Sequence, residues 1–172
     1  MRPVTASQTI GPFWHSLAEP AQADLTRFGA PGPKLTLTGR VFDGDGALVS
    51  DAGLEIWQAT PRGSRGFPGW GRCATGPDGS FRFITIAPDP VEPCFSVAIV
   101  ARGLVKPLWT RVYLHDPGND PVLLAVPPAR RATLIATEVK PGQGPGEWRW
   151  DVRLQGDGET VFLEFSAPPS HA

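Results

Sequence analysis

Cysteine is nearly absent from this chain of 172 residues. Only Cys73 and Cys94 occur, too few for a disulfide framework or a thiolate metal site, and both are expected to be buried, reduced thiols. Tyrosine occurs once, as Tyr113, and histidine three times, at positions 15, 115 and 171. There is no HExxH, no paired CxxC, no phosphate-cradling glycine loop and no GxSxG, and no spacing recommends a serine hydrolase built on His15 or His115. Long hydrophobic runs are missing too: nothing approaches the ~18 apolar residues of a membrane span. Met1-Arg2-Pro3 leads into polar residues, so no secretory signal is expected and a cytoplasmic location is. With 16 basic and 17 acidic residues the net charge is −1, which leaves no electrostatic footprint for nucleic acid or anionic lipid.

Glycine and proline are abundant, twenty of each, and between them apolar residues recur with period two. Leu35, Leu37 and Val41 alternate with Thr36, Thr38 and Arg40, the pattern of a half-buried strand. Asp43-Gly44-Asp45-Gly46 supplies turn chemistry, and residues 54–59 and 80–86 read as further strands. Phe95 to Ala101 is a nearly continuous apolar run that fits a central strand buried on both faces. Pro127-Pro128 predicts one short helix within 129–136. Trp148, Trp150, Val152 and Leu154, then a Gly156-Asp157-Gly158 turn and Val161, Leu163 and Phe165, predict a closing hairpin. The expected fold is all-β: a single β-sandwich domain of two packed mixed sheets over 34–166, preceded by an irregular arm and covering loop over 1–33 and followed by a tail over 167–172.

Two stretches are too unusual for plain scaffold. Thr5 to His15 puts hydroxyl, aromatic and imidazole groups on backbone that Gly11-Pro12 keeps irregular. Phe13 and Trp14 must be buried by something, either this chain's own core or a partner. On the strand around Trp109 to His115, Trp109, Arg111, Tyr113 and His115 share one face. That face reads equally as a binding surface for a small anion, in a stand-alone binding or carrier module, or as a solvated surface with Arg111 paired to a nearby acid. The glycine- and proline-rich segment 61–71 is irregular, and either a functional loop or the stump of one.

Six strings in order carry a resemblance: the arm Thr5 to His15, LEIWQA at 54–59, GRCATGPDGSFRFITIAP at 71–88, TRVYL at 110–114, RRATLIA at 130–136 and RWDVRLQGDGETVFLEF at 149–165. Together they resemble the alpha subunits of the intradiol ring-cleavage dioxygenases of the protocatechuate 3,4-dioxygenase type, over nearly the whole length. The resemblance implies a β-sandwich and an assembly with a homologous beta subunit. That partner would hold a ferric ion between two tyrosines and two histidines and open the ring of 3,4-dihydroxybenzoate with O2, giving 3-carboxy-cis,cis-muconate. By motif match the iron ligands would fall in the 63–71 loop, the 88–93 crossing and at Cys94 and Ser96, where this chain has no tyrosine or histidine. The resemblance therefore implies an iron-free alpha subunit with no catalytic residue of its own. Thr9, Gly11, Pro12, Phe13 and Arg111 would complete the pocket of the iron-bearing partner, with Phe13 standing where the family often has Tyr.

Overall fold

The computed structural model describes residues 5–6, 8–9, 13–59, 66–139 and 146–164. A four-residue helix, α1 (Trp14–Leu17), and a 3-10 turn (Pro20–Ala23) precede the first strand. Among the described residues nine strands follow: β1 (Lys34–Phe42), β2 (Gly53–Trp57), β3 (Trp70–Ala74), β4 (Ser80–Ile86), β5 (Cys94–Val100), β6 (Leu108–Tyr113), β7 (Thr137–Glu138), β8 (Glu147–Arg149) and β9 (Val152–Arg153). They form two sheets. The first runs β4-β1-β8-β7, with β9 also pairing β1, and the second runs β3-β2-β5-β6.

Alternation makes the layers. In β1, Leu35, Leu37 and Val41 are buried while Lys34 and Arg40 are exposed, and β1 pairs antiparallel with β4 from Lys34↔Ile86 to Arg40↔Ser80. Leu54 and Ile56 of β2 and Phe95, Val97 and Ile99 of β5 face the same core from the second sheet. Burying such side chains supplies the main drive for folding, about 1.5–3 kcal/mol for each large one. Close approach is also built in at Gly39, where a Cβ would sit 1.8 Å from the Trp150 carbonyl oxygen.

The alternate positions of β5 and β6 point outward, and some of them are covered. Cys94 and Tyr113 pack in a smaller cluster with Leu123, Val126 and Leu134. Leu123 comes from helix α2 (Pro121–Ala125), Val126 from the segment after it and Leu134 from a 3-10 turn (Ala132–Leu134) that continues helix α3 (Pro128–Arg131). Tyr113 is therefore fully buried, while Trp109 and Arg111 of the same row stay half-buried.

Three expectations need correction. The single helix within 129–136 is a short α-helix continued by a 3-10 turn, and α2 precedes it, started by Asp120, whose carboxylate accepts from the backbone N–H of Val122 and Leu123. The closing hairpin is cut short: across the 156–158 turn Thr160 donates its N–H to the Arg153 carbonyl at 2.9 Å, but β8 and β9 pair parallel with β1, and Leu163 donates its N–H to Trp109 O at 2.7 Å and so joins the other sheet. Phe165 lies outside the described residues. The first sheet is mixed; in the second the named strands pair antiparallel, and parallel pairing is confined to an isolated bridge between Tyr113 and Ile135. Of the 61–71 segment, Trp70 and Gly71 already belong to β3, and 61–65 lie outside the described residues.

Candidate functional site

The arm crosses the end of the second sheet where β2 begins and β5 finishes, for Gly53 pairs with Val100. Thr9 donates from Oγ1 to the Ala101 carbonyl at 3.4 Å. The two rings of the arm part company at Phe13-Trp14. Trp14 is only 5% exposed and lies flat on Gly53, where a Cβ would fall 1.8 Å from its Nε1. The Arg72 guanidinium covers the other side, 4.9 Å from the ring centroid, itself held by the Glu55 carboxylate at 2.8 Å from Nε. Phe13, by contrast, is 70% exposed. Self-packing and projection outward are thus both true, one for each ring. Gly11 and Pro12 lie outside the described residues.

Arg111 is not brought to the arm. It pairs with Ser96, four residues back along β5 from Val100, which is roughly 13 Å at about 3.3 Å per residue. There it lines a cavity of about 500 Å³ with Trp57, Glu92, Cys94, Ser96 and Asp120. Its Nη1 lies 3.4 Å from Asp120 Oδ2, and the Tyr113 hydroxyl donates to Asp120 Oδ1 at 2.9 Å. Burial alone would raise the Asp120 pKa, but the Leu123 N–H, the Tyr113 hydroxyl and Arg111 together hold it below the usual carboxylate range. Burial pushes the Tyr113 phenol well above its ordinary value and does the same to the Cys94 thiol.

Those donors do not suit a ferric ion, which favours anionic oxygen and imidazole. Tyr113 is held as a proton donor to Asp120, Cys94 is held protonated, and Ser96 is a neutral hydroxyl. Among the described residues no three His, Cys, Asp or Glu side chains gather closely enough to hold a metal ion.

A second cation beside the arm, after Arg72, is Arg102, which the sequence did not single out. It follows the Ala101 that Thr9 contacts, is 74% exposed, and its Nε lies 3.2 Å from Asp51 Oδ2. The only clue in the chain was its position directly after the central strand; the strand pairing that sets it near the arm is a matter of register.

No family model matches the chain. It is 38% identical to the protocatechuate 3,4-dioxygenase alpha chain of Burkholderia cepacia, over 93% of this chain and 96% of that one. Against the alpha chain of Pseudomonas putida the identity is 37%, over 95% and 97%. The beta chain of Burkholderia cepacia is 34% identical over half of this chain and 41% of its own length. Among solved structures, the dioxygenase domain of a dioxygenase carbohydrate-binding fusion from Streptomyces sp. SirexAA-E superposes with a TM-score of 0.61 at 26% identity, covering 90% of this chain and 94% of that one. Catechol 1,2-dioxygenase of Pseudomonas arvilla C-1 shares the fold, with a TM-score of 0.56 at 20% identity, covering 90% of this chain and 60% of its own. A β-sandwich with this topology, matched end to end by two alpha chains, belongs to the protocatechuate 3,4-dioxygenase alpha-chain family.

Proposed function

We propose that this chain is the iron-free subunit of an intradiol dioxygenase and completes the active site of a homologous beta subunit. The observation that carries the reading is the arm: its root is clamped by Trp14 on Gly53 while Phe13 is presented outward. An exposed aromatic on an anchored segment is the kind of residue that dominates an interface once covered. Thr9, Gly11, Pro12 and Phe13 form the wall offered to the partner, and Arg102 stands at its edge as the cation suited to a substrate carboxylate. Arg111 is assigned to the same pocket by motif, and its guanidinium, 3.4 Å from Asp120 Oδ2, faces the cavity that it lines with Cys94 and Ser96.

The substrate of this reading is 3,4-dihydroxybenzoate, opened between its hydroxyl-bearing carbons with both atoms of O2 entering the product, 3-carboxy-cis,cis-muconate. The ferric ion of the partner, when bound, supplies the redox chemistry. This chain's residues do the rest of what a pocket wall does. They exclude water, orient the ring against the Gly11-Pro12 backbone and favour the carboxylate end through Arg102.

Co-expression with a homologous chain carrying two tyrosines and a His-x-His tests the reading. The two chains are expected to co-purify, with iron and activity present in the complex and absent from this chain alone. Stoichiometric ferric iron with a visible tyrosinate band in this chain alone would overturn it. In the complex, Arg102→Ala is expected to raise KM about tenfold with the subunits still associated, a loss of about 1.4 kcal/mol in binding.

A further inference from the structure

At the opposite end of the sandwich from the arm, the start of β1, the segment after β4 and the strand β8 enclose a cavity of about 480 Å³ that the proposed reaction does not use. Its walls include Leu35, Leu114, Pro88 and Pro93, with Lys34 and Glu138 also lining it. Trp148 forms part of the lining. The Trp148 side chain is 93% buried and is held in place by the His115 ring, edge-on at 4.8 Å between centroids. Its indole N–H has no hydrogen-bond partner among the described residues, and it is not sealed from solvent either. A donor in that position opens into the cavity. Gly146 keeps it open, because a Cβ there would come within 2.9 Å of Nε1.

A largely apolar cavity with one unanswered donor and one ammonium group specifies its ligand. A ligand that covers the N–H must offer it an acceptor oxygen, since a donor cut off from water and left unpaired costs about 1–3 kcal/mol. Lys34 favours that oxygen being anionic, while Glu138 opposes a second negative charge. The hydrocarbon wall requires a ring or a compact aliphatic body, and the volume lies in the range of small-molecule sites. We propose that this cavity binds a small aromatic or alicyclic monocarboxylate, its carboxylate accepting from Trp148 Nε1 and its ring lying on Leu35 and Leu114. The site is separate from the pocket offered to the partner, and it does not depend on the subunit reading.

The test is a 19F NMR titration of 4-fluorobenzoate into the protein as it purifies, with its partner where one co-purifies. Saturating 1,2-dihydroxybenzene, a ring diol without the carboxylate that this cavity is proposed to select, is added without oxygen, to fill the partner's pocket without turnover. Bound 4-fluorobenzoate is expected to persist. Trp148→Phe, which removes the N–H together with the pyrrole ring but keeps an aromatic wall, should weaken it about tenfold; Gly146→Val should abolish it; and Lys34→Gln, a surface change safe for folding, should weaken it about threefold. Complete displacement by 1,2-dihydroxybenzene, absence of binding, or affinity indifferent to all three variants would each overturn the proposal. So would a fall in the mass of the complex on Lys34→Gln, which would make this face a subunit contact.

Discussion

At Asp120 a single carboxylate oxygen receives three donors, the Tyr113 hydroxyl and the N–H groups of Val122 and Leu123, all at 2.9 Å. The side chain starts α2 and ties it to β6. Because its pKa is depressed in the folded chain, its contribution is fully present above the ordinary carboxylate value of about 3.9 and is lost as pH falls through the folded value. Asp120→Asn should therefore cost about 0.5–2 kcal/mol at pH 7 and flatten the loss of stability below about pH 4. Urea midpoints at pH 7 and pH 3 for both proteins check this; parallel losses on acidification would show that the carboxylate carries no such linkage. Phe13 tests the opposite situation. Exposed as it is, Phe13→Ala should change the stability of the isolated chain by less than about 0.5 kcal/mol. It should still weaken association with the partner tenfold or more, read by the subunit dissociation constant.

Among the elements, α1 is the one whose position rests on a single missing side chain. A Cβ at Gly53 collides with the Trp14 ring, so Gly53→Ala should expel Trp14 and free the arm while leaving the sandwich folded. Limited proteolysis should then cut within the first 20 residues at an increased rate, far-UV circular dichroism should be unchanged, and kcat/KM of the complex should drop about tenfold. Unchanged protease sensitivity would show that Trp14 does not anchor the arm. The elements themselves were unequally legible in the residues. β1, β2, β4, β5 and β6 follow from period-two alternation and from the apolar run at 95–101. Alternation assigns faces but not partners, which is why 148–165 reads as a hairpin although β8 and β9 lie parallel to β1. α2 is too short to show a helical period, and only Asp120-Pro121 announces it. In the candidate site, the arm was visible through its residue types and the resemblance they carry. Arg102 was hidden, since its proximity to Thr9 depends on the pairing of Gly53 with Val100, a register that no local pattern records.

For the molecule as a whole, both sheets contribute to one core, from Leu37 and Phe83 on one side to Ile56 and Phe95 on the other. Loss of either sheet would expose the inner face of the other, so unfolding should be one transition. Far-UV and near-UV circular dichroism should give coincident urea curves; separated midpoints would show that the sheets are independent. The parallel pairing of β1 with β8 has a consequence for how the chain is made. Thr36 finds its partner at Glu147, so that edge of the first strand stays uncovered until the last third of the protein has left the ribosome. At synthesis rates of about 5–20 residues per second, the wait is roughly 5–20 s. During that time β1 offers unpaired N–H and C=O groups to any neighbouring strand, including those of sister chains on the same message. Slow synthesis or truncation before residue 147 should therefore yield aggregated chain, and a trapping chaperone present during translation should recover it.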